Sequence, residues 1–205
     1  FATRNRYKTA LSLDRDFDYI ICDDGFEDTR LVGAVTIRLD WENAPTHISN
    51  LIPAGKFRSL AQDHEEPTLI LHCGNGGDPQ NSQNTDLEFK ISSIENARGE
   101  PLPNAHPSVI TGIGNPERLI TNIIQFGVQP GHVLERPDHD AAFEQILVEE
   151  LKKGFPIIIT EKDQARLHEK NAKSPLLFVA KQTTNLSKAA LDALCSLFFI
   201  ILPKG

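Results

Sequence analysis

Asp23 and Asp24 are adjacent carboxylates at the end of the apolar run Phe17-Asp18-Tyr19-Ile20-Ile21-Cys22, and Gly25-Phe26 follows at once. Magnesium is commonly held by one or two carboxylates together with substrate phosphates, and ligands of open α/β sheets collect outside the carboxyl ends of strands. The run therefore reads as a Walker B-type element, an apolar strand that delivers two acids to a glycine turn. Asp-Gly pairs also form turns for conformational reasons alone. Two neighbouring carboxylates repel, so keeping both ionised favours a cation nearby. Only one of them can point along the strand end toward a metal, which leaves the other to orient water or a second shell. The G-x-x-x-x-G-K-[ST] loop that usually accompanies such an element, with N–H groups and a lysine to cradle phosphates, occurs nowhere in the chain.

Asp138-His139 is the second candidate. An imidazole beside a carboxylate at a strand-to-helix turn can move protons to or from a substrate hydroxyl, with the aspartate tuning or orienting it; an exposed turn histidine is the plainer reading of the pair alone. The remaining histidines show no ligand spacing. Gly112-Ile113-Gly114 has the opening of a dinucleotide fingerprint, but Glu117 stands where the third glycine belongs, so a close-packed glycine turn explains it better. Lys162, in Thr160-Glu161-Lys162-Asp163, could meet a phosphate or simply be solvated at a helix start.

The elements that must position these groups alternate. A helix is predicted over about Tyr7 to Leu13, strands at Phe17–Cys22, Ala34–Leu39 and Thr68–Cys73, and a modest strand at Leu87–Ile91 that could pair as a hairpin. Further strands are predicted at Ser108–Thr111, His132–Leu134, Pro156–Ile159 and Leu176–Val179. Asn115 caps a helix with Pro116 at its first position and Gly127 beyond its end. A second helix covers about Ala141 to Lys153, Thr160 and Asp163 have capping-pair spacing, and a final helix runs from Leu186 to about Ile201. Strands alternating with helices predict an α/β fold with a parallel sheet. The Gly-, Asn- and Pro-rich composition of 74–107 divides the chain into a partial nucleotide- and metal-binding core at 1–73, a linker or hinge at 74–107, and a smaller α/β domain at 108–205.

Bulk properties narrow the classes. A net charge of -7 over 205 residues lacks the basic footprint of a nucleic-acid binder, so nucleic acid is not expected as a partner. No apolar stretch approaches the roughly 18 residues of a membrane span. Cys22, Cys73 and Cys195 are odd in number and scattered, which fits reduced, buried thiols in a cytosolic setting. The chain opens at Phe1 and contains no Met, so Phe1 is not expected to be the translation start.

The ordered set Asp23-Asp24-Gly25-Phe26 with Arg30-Leu31, Leu51-Ile52-Pro53-Ala54-Gly55 with Arg58, Thr111-Gly112-Ile113-Gly114-Asn115-Pro116-Glu117-Arg118, Pro137-Asp138-His139 and Thr160-Glu161-Lys162-Asp163 strongly resembles the tetraacyldisaccharide 4'-kinase family of lipid A biosynthesis. The resemblance covers about Phe1 to Leu167. It implies an incomplete P-loop-NTPase-like parallel sheet joined to a second α/β domain. It also implies ATP- and magnesium-dependent phosphorylation of the 4'-hydroxyl of a lipid-linked glucosamine disaccharide, by an enzyme peripheral to the cytoplasmic face of the bacterial inner membrane. Asp23 and Asp24 match the family's acidic pair near the metal, with Gly25 beside the nucleotide. His139 matches a histidine that works with an aspartate in handling a proton, and Arg58 an active-site arginine. Glu27-Asp28 replaces the family's usual Gln-His, and Ser59 an expected acid. The P-loop and the aspartate partnering the histidine are expected upstream of Phe1, so the polypeptide as given is expected to be inactive. The alternatives are a catalytically silent relative that binds lipid or protein, and a metal-dependent phosphohydrolase using Asp23, Asp24, Asp138 and His139.

Overall fold

The computed structural model describes residues 5–13, 17–23, 25, 28, 30, 31, 33–41, 66–74, 85–138 and 140–201. Asp24, Phe26, Glu27, the segment from Leu51 to Ser59 with Arg58, and His139 lie outside the described residues. In chain order the elements are α1 (Arg6–Leu13), β1 (Ile37–Trp41), β2 (Leu69–Gly74), β3 (Leu87–Asn96), β4 (Ser108–Thr111), α2 (Pro116–Gln125), β5 (His132–Glu135), α3 (Phe143–Leu151), β6 (Ile157–Thr160), α4 (Glu161–Gln164), α5 (Glu169–Ala172), β7 (Leu177–Leu186) and α6 (Lys188–Ile201). The chain forms two compact units, one of Phe1–Cys73 with Ser187–Gly205 and one of Gly74–Leu186.

In the first unit β1 and β2 pair in parallel, Ile37 opposite Leu69 and Trp41 opposite Cys73. Pairing begins three residues later than the apolar pattern of 34–39 suggests, because the chain is first clamped by side chains. The Thr36 amide donates to Thr68 Oγ1 (3.1 Å), and the Thr68 amide donates to Thr36 Oγ1 (3.0 Å). The expected strand at 17–22 does not form. Phe17 is 51%, Ile20 38% and Ile21 90% exposed, whereas a buried parallel strand needs both faces covered. Of the three cysteines Cys73 is buried, Cys22 half-buried and Cys195 exposed, all as free thiols, so the expectation of three buried thiols holds for Cys73 alone.

The second unit is a sheet in the order β3-β7-β6-β4-β5. β7, β6, β4 and β5 run parallel, and β3 runs antiparallel to β7. Successive side chains of a strand point to opposite faces, and the apolar runs of β4, β6 and β7 serve two cores. Val109, Ile158, Phe178 and Ala180 pack with Leu119 and Ile123 of α2. Ile110, Ile157, Ile159, Leu177 and Val179 pack with Phe143 and Leu147 of α3. The strands are apolar throughout because helices cover both of their faces.

β3 changes phase midway. The modest strand signal at Leu87–Ile91 is its first half; the register slips between Ile91 and Ser93, and the Ser92 hydroxyl donates to the Lys181 carbonyl (3.2 Å). Such a bulge moves the buried positions by one residue, so Ile94 follows Ile91 into the core at a spacing of three. α2 is bounded as expected. Asn115 Oδ1 accepts the Arg118 amide (3.1 Å). At the other end the Gly127 and Val128 amides donate to the Ile124 and Ile123 carbonyls, a Schellman closure with Gly127 at φ 97°.

Ile158 is fully buried in the central strand. Truncating Ile158→Ala is expected to lower unfolding stability by about 2–5 kcal/mol, read as a lower urea midpoint followed by circular dichroism.

Candidate functional site

β4 leads through α2 to β5 on one side of the sheet, and β6 leads through α4 and α5 to β7 on the other. β4 and β6 are neighbours whose onward connections diverge. That is a topological switch point, the place where ligands bind in open α/β sheets. Polar groups gather at the carboxyl ends of these two strands.

The gathering is organised by Asp163, whose carboxylate is fully buried. Asp163 Oδ2 accepts from the Thr160 hydroxyl (2.8 Å), the Thr111 hydroxyl (3.4 Å) and the Gly112 amide (3.4 Å). Oδ1 accepts from Arg166 Nη2 (2.6 Å). The Asp163 amide in turn donates to Thr160 Oγ1 (3.1 Å), so the capping spacing read in the sequence is present. A buried carboxylate stays charged only if it is paired and fully hydrogen-bonded. Here the donors come from the end of β4, the end of β6 and the residues after α4, and the carboxylate pins those segments together.

Gly112 is needed for this closeness. A Cβ there would lie 3.2 Å from the Pro137 carbonyl oxygen, 3.5 Å from Asp163 Oδ1 and 3.6 Å from Arg166 Nη2, whereas one on Gly114 would meet nothing. The first glycine of the pair thus serves the close approach of the Pro137 carbonyl and the Asp163–Arg166 pair, in agreement with a close-packed turn rather than a dinucleotide fingerprint.

Asp138 joins the same cluster. Lys162 Nζ donates to both of its carboxylate oxygens (3.0 and 3.1 Å), and Arg166 Nη1 stands 3.8 Å from Asp138 Oδ1. Asp140, two residues on, faces the other way. It accepts from Arg136 Nε (2.7 Å) and from the Ala142 amide at the start of α3 (2.9 Å), and these two partners hold its carboxyl below the usual carboxylate range. Both described neighbours of position 139 are therefore anchored. Lys162 is neither bare nor simply solvated, because it sits on Asp138.

In the first unit Asp23 is exposed at a turn. Gly25 is constrained sterically, since a Cβ there would come within 3.0 Å of the Cys22 Cβ. The Gly25 carbonyl accepts the Asp28 amide (3.0 Å). Asp28, one of the departures from the family pattern, is bound by Arg30 through Nε and Nη2 (both 2.7 Å), so its carboxylate is engaged within its own loop. The donor chemistry of Asp23, an accessible hard oxygen ligand, fits magnesium, which needs few protein ligands when phosphates supply the rest. Among the described residues no group of three or more His, Cys, Asp or Glu side chains could hold a metal ion.

Sequence reasoning gave no role to Arg166 or Asp140 and read Asp163 only as the capping partner of Thr160. The signal for Asp163 was its spacing from Thr160, which marks a cap whether the pair is buried or exposed. A second cluster also went unread: Glu144 on α3 accepts from Asn171 Nδ2 (2.7 Å) and the His168 amide (2.8 Å), and its Oε2 lies 2.5 Å from His168 Nδ1. These contacts latch α5 to α3 beside an open cleft of about 600 Å³.

A family model described as "Tetraacyldisaccharide-1-P 4'-kinase" matches residues 1–198. The chain is 32% identical over 165 residues to the tetraacyldisaccharide 4'-kinase of Shewanella halifaxensis (strain HAW-EB4), covering 75% of this chain and 47% of that protein. It is 28% identical over 199 residues to that of Shewanella sediminis (strain HAW-EB3), covering 93% and 58% respectively. Among solved structures it resembles LpxK from Aquifex aeolicus, crystallised in complex with ATP, at a TM-score of 0.62 and 18% identity, over 98% of this chain and 64% of that one. At that identity the likeness concerns the fold alone. The chain spans about half the length of the curated relatives it matches.

Two outcomes follow. Asp163→Ala is expected to cost about 3 kcal/mol, near the low end for breaking a buried pair because Arg166 keeps some access to water, measured by urea unfolding. Asn171 and His168 hold the Glu144 carboxyl down to about 2, against 4.5 ordinarily. A carboxyl depressed on folding stabilises fully above its unfolded value, and that contribution is lost as pH falls through its folded value. The melting temperature of Glu144→Gln should therefore lie below that of the unsubstituted protein above about pH 5, with the gap closing as pH falls toward about 2.

Proposed function

This chain belongs to the tetraacyldisaccharide-1-P 4'-kinase family, and we propose that its complete gene product transfers the γ-phosphoryl group of ATP to the 4'-hydroxyl of a lipid-linked glucosamine disaccharide in lipid A biosynthesis. The observation that carries this reading is the family match across residues 1–198. The gathering of Asp138 with Lys162, Asp163 and Arg166 at a switch point supports it. In this reading the enzyme works peripherally at the cytoplasmic face of the bacterial inner membrane; no helix among the described residues is long and apolar enough to cross a membrane.

Phosphoryl transfer of this kind is mostly positioning and charge stabilisation. Asp23 and Asp24 would hold magnesium, with Gly25 at the turn beside the nucleotide. When bound, the metal neutralises charge on the β- and γ-phosphates. His139, with Asp138 next to it in the sequence, takes the proton from the 4'-hydroxyl as that oxygen bonds to the γ-phosphorus. The bond from phosphorus to the departing ADP oxygen breaks, and the Arg58 guanidinium opposes the charge spread over the transferring group.

A catalytically silent relative is the second reading, and the engagement of Asp28 by Arg30 favours it, since a family position near the expected site is spent on a loop contact. The two separate in one assay. The complete gene product, given radiolabelled ATP, magnesium and the disaccharide acceptor, is expected to label the lipid. His139→Ala is expected to slow turnover by about a hundredfold or more, and joint replacement of Asp23 and Asp24 by alanine to abolish it. An unlabelled lipid alongside metal-dependent binding of a nonhydrolysable ATP analogue would leave a silent binder; full turnover without both acids would end the metal assignment.

A further inference from the structure

We propose that Lys162 and Arg166 form a receiving pair for a phosphate group at the carboxyl ends of β4 and β6, and that the Asp138 carboxylate occupies this pair in the ligand-free chain. The site stands on its own geometry; that its phosphate belongs to ATP or to the acceptor rests on the kinase reading above.

The pair is held in place before any ligand arrives. Asp163 is fully buried and tied to both strand ends through Thr111, Gly112 and Thr160. It fixes Arg166 through Nη2 (2.6 Å), while Arg166 Nε donates to the Lys162 carbonyl (3.4 Å) and the guanidinium lies 5.7 Å over the ring of Phe143, itself buried in the core. Gly112 brings no side chain to cover that guanidinium, whereas a Cβ there would already lie 3.6 Å from Nη2. The connections leaving β4 and β6 diverge at this point, and such strand ends are where ligands bind in open α/β sheets.

Asp138 fills the pair incompletely, in a way that points to a larger anion. Lys162 Nζ bonds both of its oxygens (3.0 and 3.1 Å), but Arg166 Nη1 stays 3.8 Å from Oδ1, outside hydrogen-bond range. Among the described residues this nitrogen is buried and has no hydrogen-bond partner, a costly state that a bound ion relieves. A planar carboxylate gripped by the ammonium does not also reach the guanidinium. A phosphate can, because its free oxygens point in separate directions and accept charge-assisted bonds from both kinds of cation. Displacing the carboxylate from Lys162 costs little: the pair is half-exposed, with side chains 51% and 42% accessible, and pairs of that kind hold weakly.

The test uses the complete gene product and follows the Lys162 amide and Arg166 Nε–H signals by NMR while inorganic phosphate is added at constant ionic strength. Both signals are expected to move with phosphate and not with chloride. Lys162→Ala, read on Arg166, should weaken the response about tenfold. Arg166→Lys, read on the Lys162 amide, keeps a charge for Asp163 but lacks the second nitrogen, and should weaken it too. Asp138→Asn should tighten phosphate binding about fivefold, because it removes a like charge about 4 Å from the incoming anion; an acid with a purely structural role predicts no such gain. Signals that ignore phosphate, or an Asp138→Asn variant that binds it no better, would overturn the proposal. Repeating the titration with a nonhydrolysable ATP analogue and with the disaccharide acceptor, phosphorylated and unphosphorylated, identifies the source. A response to the analogue assigns the nucleotide, a response to the phosphorylated acceptor alone assigns the acceptor, and silence toward both would overturn the site's place in the kinase reaction. A protein that labels lipid without any phosphate response would overturn this inference and leave the kinase reading standing; a phosphate response in a protein that labels no lipid would do the reverse.

Discussion

A carboxylate removed from water governs the second unit. The Asp163 carboxylate can be buried without a large penalty only if donors surround it, and those donors sit at the end of β4, the end of β6 and on Arg166. The demand propagates outward. Position 112 must lack a side chain, and Arg166 sits over the Phe143 ring. The cluster thus rests on one buried acid whose donors include the ends of two neighbouring strands.

The sheet can hold them because both of its faces are filled. Within β6, Ile158 faces the α2 core while Ile157 and Ile159 face the α3 core. Neither face can slide without opening a void in close-packed side chains. The polar cluster at the strand ends inherits that rigidity. On the α3 side the Glu144 latch ties down α5 and the turn before it, using groups that the strand-end cluster does not share.

Much of this was legible in the residues. The Asn115-Pro116 helix start, the β6 run and the Thr160–Asp163 spacing each carry a local physical signal that tertiary contacts leave intact, and the structure contains all three. The failures have a common cause. An apolar run such as Phe17–Cys22 shows that a strand could be buried, not that anything covers it, and Ile21 is 90% exposed. The bulge in β3 breaks the two-residue period, so only half of a ten-residue strand announces itself. Whether Asp163 is a surface cap or a buried keystone depends on Thr111 and Gly112, about fifty positions away, which no local pattern reports. Asp24, Arg58 and His139 are legible through family resemblance and lie outside the described residues.

The antiparallel pairing of β3 with β7 joins the two ends of its unit, with Leu87 opposite Leu186. During synthesis β3 leaves the ribosome early, whereas the strand against which it lies antiparallel is among the last parts of the unit to be made. Contacts so distant in sequence are slow to form. The half-made domain must therefore keep Ile91 and Ile94 from sticking elsewhere until translation passes Leu186, and the polar residues interspersed along β3, among them Glu88, Lys90, Ser92 and Ser93, make the waiting strand a poor seed for aggregation.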